Sequence, residues 1–246
     1  EYNQQQILLK EQNQRLRSLD NAKSTFLTTV AHEIKNPLNS ISLHARDTSE
    51  LLEEDPLDFS LMQENLRTIE QSVMRIDRIV LDLMDTVSIE QGRLALSLMP
   101  SDLGTLLHSV EKDFSSHPSS GNNQLVLTIQ PDLPEISADP ERLIQVVTNL
   151  ISNAERHTRN GIITISLSGG PRWQTICVSD TGSGMSEEMR KNALKGYVSA
   201  DKDYWRHGIG LYVCHQIITA HGGKIWIESE EGKGTRVFFS LPEEES

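Results

Sequence analysis

The feature that most constrains the fold is a long apolar repeat in the first half of the chain. Its apolar residues recur at alternating steps of four and three: Met62, Leu66, Ile69, Val73, Ile76, Val80, Leu83 and Val87. Such heptad spacing predicts one long helix, from about residue 58 to 89, with a continuous apolar seam. A turn at Asp55-Pro56 separates it from an earlier predicted helix. Because a hairpin of two such helices cannot enclose its own apolar stripe, we predict a homodimer in which two hairpins form a four-helix bundle.

The earlier helix is predicted from residue 1 to about residue 53. Its first part, residues 1–24, is rich in Gln, Glu, Lys, Arg and Leu and lacks Gly and Pro, which indicates a coiled-coil linker. The next part has one apolar stripe, made of Phe26, Val30, Ile34, Leu38 and Ile41. Pro37 removes one helical hydrogen bond there, so we expect a kink or local loosening.

His32 is the candidate reactive group of this helix. It points roughly 160–200° away from the apolar stripe, on the same outward face as Asn36, with Glu33 beside it. Most exposed helical histidines are ordinary surface residues. A zinc protease motif would need a second histidine at position 36, where Asn36 stands, so that interpretation fails. What remains is a nucleophile, a neutral imidazole next to a carboxylate that can accept its proton.

Composition excludes several classes of function. The chain has 246 residues and a net charge of −12, which argues against direct nucleic-acid binding. No apolar run reaches the roughly 20 residues that a membrane-spanning helix needs, so we predict no membrane contact in this fragment. Cys177 and Cys214 lie in apolar surroundings and are interpreted as reduced cysteines of a cytoplasmic protein. The chain begins within a helical pattern, so we expect it to be part of a longer protein.

After Gly92 and Pro100 the pattern changes to mixed α and β. Helices are predicted at 101–114, at 140–157, from Ser186 and at 209–220. Strands are predicted at 124–130, 135–138, 161–168, 174–179, 224–229 and 235–241, with hairpin turns at 169–171 and 230–234.

Three stretches of this half carry candidate binding groups. In helix 140–157, Asn149 and Asn153 lie opposite the buried face, and an Asn carbonyl suits Mg²⁺ that bridges to phosphates. Asp180 follows a strand and precedes two glycines, which suits recognition of a flat base with an exocyclic amine. Gly208-Ile209-Gly210-Leu211 opens a helix whose free N–H groups suit a phosphate. Neither a Walker loop nor a Rossmann fingerprint is present.

Over essentially its whole length the chain resembles the catalytic core of bacterial two-component sensor histidine kinases. The resemblance rests on His32-Glu33-Ile34-Lys35-Asn36-Pro37-Leu38, Asn149-Leu150-Ile151-Ser152-Asn153-Ala154, Asp180-Thr181-Gly182-Ser183-Gly184-Met185, Gly208-Ile209-Gly210-Leu211 and Gly232-Lys233-Gly234-Thr235. It implies a multidomain protein: an all-α hairpin, which forms a four-helix bundle on dimerisation, followed by an α+β two-layer sandwich that binds ATP, as in gyrase and Hsp90. The implied domains are the linker helix 1–24, the dimerisation and histidine phosphotransfer domain 25–92 and the ATP-binding domain 98–246.

The resemblance also implies roles for individual residues. His32 would accept the γ-phosphate of ATP, Glu33 would act as its base, and Asn36 would position water when phosphate is removed from a response regulator. Asn153 would hold Mg²⁺, and Asp180 would bind the adenine amine. The implied nucleotide-binding residues are Asn149, Asn153, Arg156, His157, Asp180, Gly182, Gly184, Gly208, Ile209, Gly210, Leu211 and Thr235. The implied partner is a response regulator receiver domain, and the full-length protein is expected to be anchored in a membrane.

Two departures from the family pattern concern the expected lid over the nucleotide, residues 196–207. Leu194, Gly196 and Tyr197 stand where the family has a Phe-rich box, and Trp205-Arg206-His207 stand where a further glycine is common. Two alternatives therefore stay open: a kinase-deficient dimeric scaffold or phosphatase, and a related ATPase of the gyrase or Hsp90 type.

Overall fold

The computed structural model describes residues 2–53, 57–91, 94–115, 122–170, 172–194 and 209–243. Along these residues the chain divides into two compact units, and the boundary falls between Val87 and Ser88. The first unit is helical and the second combines helices with a mixed sheet. The predicted lid, residues 196–207, lies outside the described residues.

The described residues of the first unit form two long helices, as predicted. Helix α1 spans Tyr2–Leu51 and helix α2 spans Phe59–Glu90. Pro37 is buried and lies inside α1, which continues through it as a single helix. The loosening expected at Pro37 therefore does not divide the helix. Within the described part of the chain, no helix is both long and apolar enough to cross a membrane.

Helix α2 has an inner row of buried residues that lies beside the predicted apolar seam, and an outer row that belongs to the seam. Asn65, Ser72 and Ile79, spaced seven apart, are buried, and His44 Nδ1 of α1 lies 3.0 Å from Asn65 Oδ1. The outer row is also spaced seven apart and is exposed: Leu66, Val73, Val80 and Val87. The hairpin thus buries one side of α2 and leaves a stripe of large apolar side chains in contact with solvent.

The described residues of the second unit form three packed helices, one short helix and seven strands. The elements in chain order are β1 (Met99–Ser101), α3 (Leu103–Ser115), β2 (Gln124–Ile129), β3 (Ile136–Ala138), α4 (Pro140–His157), β4 (Ile162–Gly170), β5 (Trp173–Asp180), α5 (Glu187–Asn192), α6 (Ile209–Ala220), β6 (Lys224–Ser229) and β7 (Thr235–Pro242). Five strands form one sheet in the order β2-β4-β5-β7-β6, in which only β2 and β4 are parallel. Strands β1 and β3 pair separately.

The helices of this unit cover one face of the sheet. Strand β4 buries every second residue, as its alternating sequence predicts. The apolar faces of α3, α4 and α6 supply the other side of the core, and α4 contacts both other helices. The largest fully buried apolar side chains come from both layers: Leu103, Leu107, Leu143, Ile151, Ile163, Ile165, Ile176, Ile217, Ile218, Phe239 and Leu241. The predicted α+β two-layer sandwich is confirmed.

Two local predictions were incomplete. Strand β1 was missed because it has three residues, one of them Pro100, which is too short to show a period. The turn expected at 169–171 lies further along the chain, since Gly169 and Gly170 still pair with Gln174 and Trp173. Arg172 adopts a positive φ of 70° at this turn.

A buried histidine joins the ends of α4 and α6. His221 Nε2 accepts a hydrogen bond from the N–H of Asp139 at 3.0 Å, and its Nδ1 lies 2.8 Å from the Ile217 carbonyl oxygen. The Asp139 carboxylate caps α4 by accepting the N–H of Arg142 and also accepts the N–H of Ser97. This cluster fixes the start of α4, and α4 carries several of the candidate binding residues.

Candidate functional site

The second unit contains a cavity of about 370 Å³ beside the end of α4. It is lined from α4, β5, the segment after β5, α5, α6 and β7. The lining residues are Leu150, Asn153, Ala154, His157, Val178, Asp180, Ser183, Gly184, Met185, Ser186, Met189, Leu211, Glu231, Thr235 and Val237. Six of them were predicted as site residues: Asn153, His157, Asp180, Gly184, Leu211 and Thr235. Groups far apart in the sequence therefore share one concave site.

Among the described residues of the lining, Asp180 is the only carboxylate that is partly buried and also accepts hydrogen bonds from backbone N–H groups. Its Oδ1 accepts the N–H of Gly182 at 2.8 Å and the N–H of Thr235 at 3.3 Å. Burial raises the pKa of Asp180, while these two hydrogen bonds, the nearby His157 and the Thr158 side chain act to lower it. The two donors orient the carboxyl group and leave it acceptor capacity for a ligand.

Three glycines let backbone segments meet at this carboxylate. A Cβ at Gly234 would lie 2.0 Å from the Asp180 carbonyl oxygen, and one at Gly184 would lie 2.1 Å from the Glu230 carbonyl oxygen. Both glycines also have positive φ, of 87° and 67°. A Cβ at Gly182 would lie 2.3 Å from the His157 carbonyl oxygen. No side chain fits at these positions, so the glycines belong to the construction of the site.

Ser229 organises the site and was not predicted from the sequence. Its Oγ accepts the N–H of Met185 at 2.8 Å and donates to the Gly234 carbonyl oxygen at 2.9 Å. It also lies 3.0 Å from Thr235 Oγ1. Ser229 is the last residue of β6, directly before a turn with two glycines. This position is the one feature of the sequence that could have indicated its role. It ties the turn between β6 and β7 to the segment that follows Asp180.

The candidate residues of α4 differ in their environments. Asn153 is half-buried and lines the cavity, and His157 lines it as an exposed residue. Arg156 is exposed and is not part of the lining. Asn149 is only 5% exposed, so the prediction that it lies opposite the buried face of α4 was wrong. The reason is that α6 packs there: a Cβ at Gly210 would come within 3.6 Å of Asn149 Nδ2.

The remaining predicted nucleotide residues are placed only in part. Gly210 lies in the first turn of α6 beside Asn149, while Gly182 supports Asp180 from behind the lining. Ile209 begins α6. Gly208 lies outside the described residues.

The predicted reactive histidine lies in the other unit. His32 and Asn36 are both exposed on α1, and Glu33 is half-buried. The carboxylate of Glu33 follows His32 directly in sequence, and the helix presents the imidazole to solvent as its pattern predicts.

The donor set of the cavity limits which metal ion it can hold. Among the described residues, no group of three or more His, Cys, Asp or Glu side chains could hold a metal ion. The lining does include the amide of Asn153. A lone amide oxygen fits Mg²⁺, which keeps several waters and binds through substrate phosphates, and it does not fit zinc.

Two family models match the chain, one in each half. The His Kinase A (phospho-acceptor) domain matches residues 22–92. The family described as histidine kinase-, DNA gyrase B-, and HSP90-like ATPase matches residues 138–245. The first match contains His32 and the second contains the whole cavity lining.

Proteins of known type resemble the chain along most of its length. The adaptive-response sensory kinase SasA of Synechococcus sp. (strain JA-3-3Ab) is 28% identical over 238 residues, which are 95% of this chain and 63% of SasA. The full-length structure of ShkA in complex with AMPPNP has a TM-score of 0.60 and 25% identity, over 88% of this chain and 45% of ShkA. The structure of the histidine kinase ThkA with the response regulator protein TrrA has a TM-score of 0.62 and 22% identity, over 96% of this chain and 65% of that one. The chain thus spans less than two thirds of these relatives.

Proposed function

Because the chain belongs to the histidine kinases, we propose that it binds ATP in the cavity of the second unit and transfers the γ-phosphoryl group to His32. One observation carries the proposal. Asn153, Asp180, Gly184, Leu211 and Thr235, which come from four separated motifs, line a single cavity. A nucleotide bound in this cavity could supply the phosphoryl group for the exposed histidine that stands beside a carboxylate in the other unit.

The base would bind at the Asp180 side of the cavity. The Asp180 carboxylate accepts two backbone N–H groups and can accept a further hydrogen bond from the exocyclic amine of adenine. Apolar side chains beside it suit the flat faces of the ring: Leu150, Val178, Met185, Met189 and Val237. ATP binding by this chain is also supported by its likeness to ShkA, whose structure contains AMPPNP.

The phosphates would lie toward the start of α6. Free backbone N–H groups and the positive end of the helix dipole favour anions there. Gly210 leaves room beside Asn149, and Asn149, Arg156, His157, Gly208 and Ile209 remain proposed contacts. Asn153 would hold Mg²⁺, which neutralises charge on the transferred phosphoryl group when it is bound.

We propose the same division into domains as above, 1–24, 25–92 and 98–246.

Transfer would use the groups around His32. An unprotonated ring nitrogen of His32 attacks the γ-phosphorus in line, the bond to the β–γ bridging oxygen breaks, and ADP leaves. Glu33 takes the proton from the other ring nitrogen, so that no positive charge builds up on the phosphorylated imidazole. Positioning of the two reactants supplies most of the rate enhancement in such a reaction.

The partner that follows in the pathway is proposed to be a response regulator receiver domain. His32 and Asn36 are both exposed on α1, so a second protein can reach the phosphorylated imidazole. ThkA, which has a similar fold, was solved with a response regulator protein. Asn36 is proposed to orient water during dephosphorylation of the regulator. Anchoring of the full-length protein in a membrane stays a prediction.

The homodimer is proposed to form along the outer row of α2. Replacing Val73 and Val80 with Glu is expected to convert dimers to monomers, because these side chains are 45% and 40% exposed in the single chain and would lie in the bundle core. Sedimentation or light scattering measures the change. The matched control is Gln71→Glu with Arg75→Glu, which adds negative charge on a face about 160° away. Equal dissociation in both variants, or none in either, would contradict this interface.

A phosphorylation assay tests the proposed function. The protein is incubated with γ-labelled ATP and Mg²⁺, and label that is stable to alkali and labile to acid is measured. We expect such label in the wild type, less than about one hundredth of it in His32→Gln because the nucleophile is gone, and near-normal label in His44→Gln. His44 is the control because it lies in the same helix but contacts Asn65. Absence of label in the wild type would refute the kinase proposal and would agree with the scaffold and ATPase alternatives. Label that survives in His32→Gln would refute His32 as acceptor.

A further inference from the structure

Thr158 carries a buried hydroxyl group next to the nucleotide cavity that neither the sequence nor the comparisons explain. It follows directly after α4 as its C-cap residue and is only 1% exposed. Within the described residues, its Oγ1 has no partner at hydrogen-bonding geometry. An unsatisfied buried hydroxyl group destabilises the folded state, whereas valine would fill the same volume without that cost.

The surroundings of Thr158 place its hydroxyl group at the turn that orients the Asp180 carboxylate. Its methyl group packs on Gly161, where a Cβ would lie 2.6 Å away, and a Cβ at Gly182 would lie 2.8 Å from Oγ1. The N–H of Gly182 in turn donates to Asp180 Oδ1. Thr158 is therefore held against the turn that orients the carboxylate. Burial raises the pKa of Asp180, and the Thr158 side chain is among the groups that oppose this effect, in agreement with this placement.

The backbone hydrogen bonds to this carboxyl group leave one oxygen available. Both the Gly182 and the Thr235 N–H groups donate to Oδ1. A ligand amine needs an acceptor oxygen whose direction is fixed, and two donors on Oδ1 do not prevent the group from tilting about that oxygen. A third donor at Oδ2 would fix the plane of the carboxylate.

We propose that Thr158 is a positioning residue for base recognition, which donates its hydroxyl to Asp180, directly or through one water, when a nucleotide with an exocyclic amine is bound. The proposal rests on the proposed function of the cavity as an ATP site. It assigns part of the discrimination between purines to a residue that does not line the cavity.

Two variants and two nucleotides test the proposal. Thr158→Val keeps the shape and removes the hydroxyl, whereas Thr158→Ser keeps the hydroxyl and removes the methyl group. Binding of ATP and of purine riboside triphosphate, which lacks the exocyclic amine, is measured by calorimetry on the whole chain. We expect Thr158→Val to weaken ATP binding about tenfold, the size of one lost hydrogen bond to a charged group, and Thr158→Ser to restore it to within about threefold.

The amine-free nucleotide separates positioning from simple structure. If Thr158 acts through Asp180 on the amine, Thr158→Val weakens purine riboside triphosphate binding less than about twofold. The effect of the substitution and the effect of removing the amine are then not additive. The proposal is overturned if Thr158→Val loses equal affinity for both nucleotides or loses no affinity for ATP. It is also overturned if Thr158→Ser loses as much ATP affinity as Thr158→Val. A wild type that binds both nucleotides equally overturns recognition of the amine by Asp180, and the proposal with it. A wild type that binds neither nucleotide overturns the ATP site itself, which is distinct from every other outcome.

Discussion

Replacing Asp180 with Asn is expected to weaken ATP binding by about 100-fold or more, because the site loses its charged acceptor and presents an N–H₂ donor to the adenine amine. The fold should remain intact. Burial raises the pKa of Asp180, which means that the charged form is costly in the folded state, and removing that charge should not lower the free energy of unfolding. Calorimetry measures the affinity and thermal unfolding measures the stability.

The matched control for this change is Asp102→Asn. Asp102 also accepts backbone N–H groups, from Gly104 and Thr105, but it does so at the start of α3 and outside the cavity. Asn is as good an N-cap residue as Asp, so neither affinity nor stability should change appreciably. If Asp180→Asn bound ATP within about threefold of the wild type, Asp180 would not be the base-binding group.

Replacing Gly234 with Ala is expected to lower the free energy of unfolding of the second unit by at least about 3 kcal/mol, through overpacking and backbone strain. The new Cβ would lie 2.0 Å from the Asp180 carbonyl oxygen, and that oxygen belongs to a strand which is paired on both sides. Neither backbone can yield without disturbing the carboxylate at the end of β5. ATP affinity should fall together with stability.

Gly232→Ala is the control that separates strain from collision. Gly232 also has a positive φ, of 80°, but nothing lies within 4 Å of a Cβ built there. It should therefore show only the cost of a left-handed alanine, about 1–2 kcal/mol. Chemical denaturation compares the two variants. Equal losses would mean that the contact between the β6–β7 turn and Asp180 does not exist in solution.

The sequence predicted those parts of the fold in which a repeating pattern covers a whole element. The heptad repeat of α2 and the alternation in β4 each extend over several periods, and both elements were found. Strand β1 has three residues and a proline, so no period could form. Pro37 shows that a single residue type is a weaker signal than a repeat, since a residue that usually disturbs helices lies within a single long helix.

The candidate site was predictable in so far as it depends on unusual residue types, and not where it depends on packing. Asp180 and the glycines stand out because acids and glycines at strand ends are chemically distinctive. Asn149 was assigned to the wrong environment because its burial comes from α6, some sixty residues later. Ser229 and Thr158 have common residue types in ordinary places, and only the folded chain shows that one ties two loops together and the other buries a hydroxyl group.

Peptide mapping by mass spectrometry after incubation with Mg²⁺ and ATP tests whether the cavity supplies the phosphoryl group that His32 accepts, because it reports both the nucleotide site and the acceptor. The sample is kept at neutral or alkaline pH to preserve a phosphorus–nitrogen bond, and fragmentation locates the added phosphoryl group. With ATP below saturation, we expect a phosphoryl group on His32 in the wild type and in Asp102→Asn, and at most a trace in Asp180→Asn. Phosphorylation at another residue, or undiminished phosphorylation of His32 in Asp180→Asn, would refute the proposed transfer.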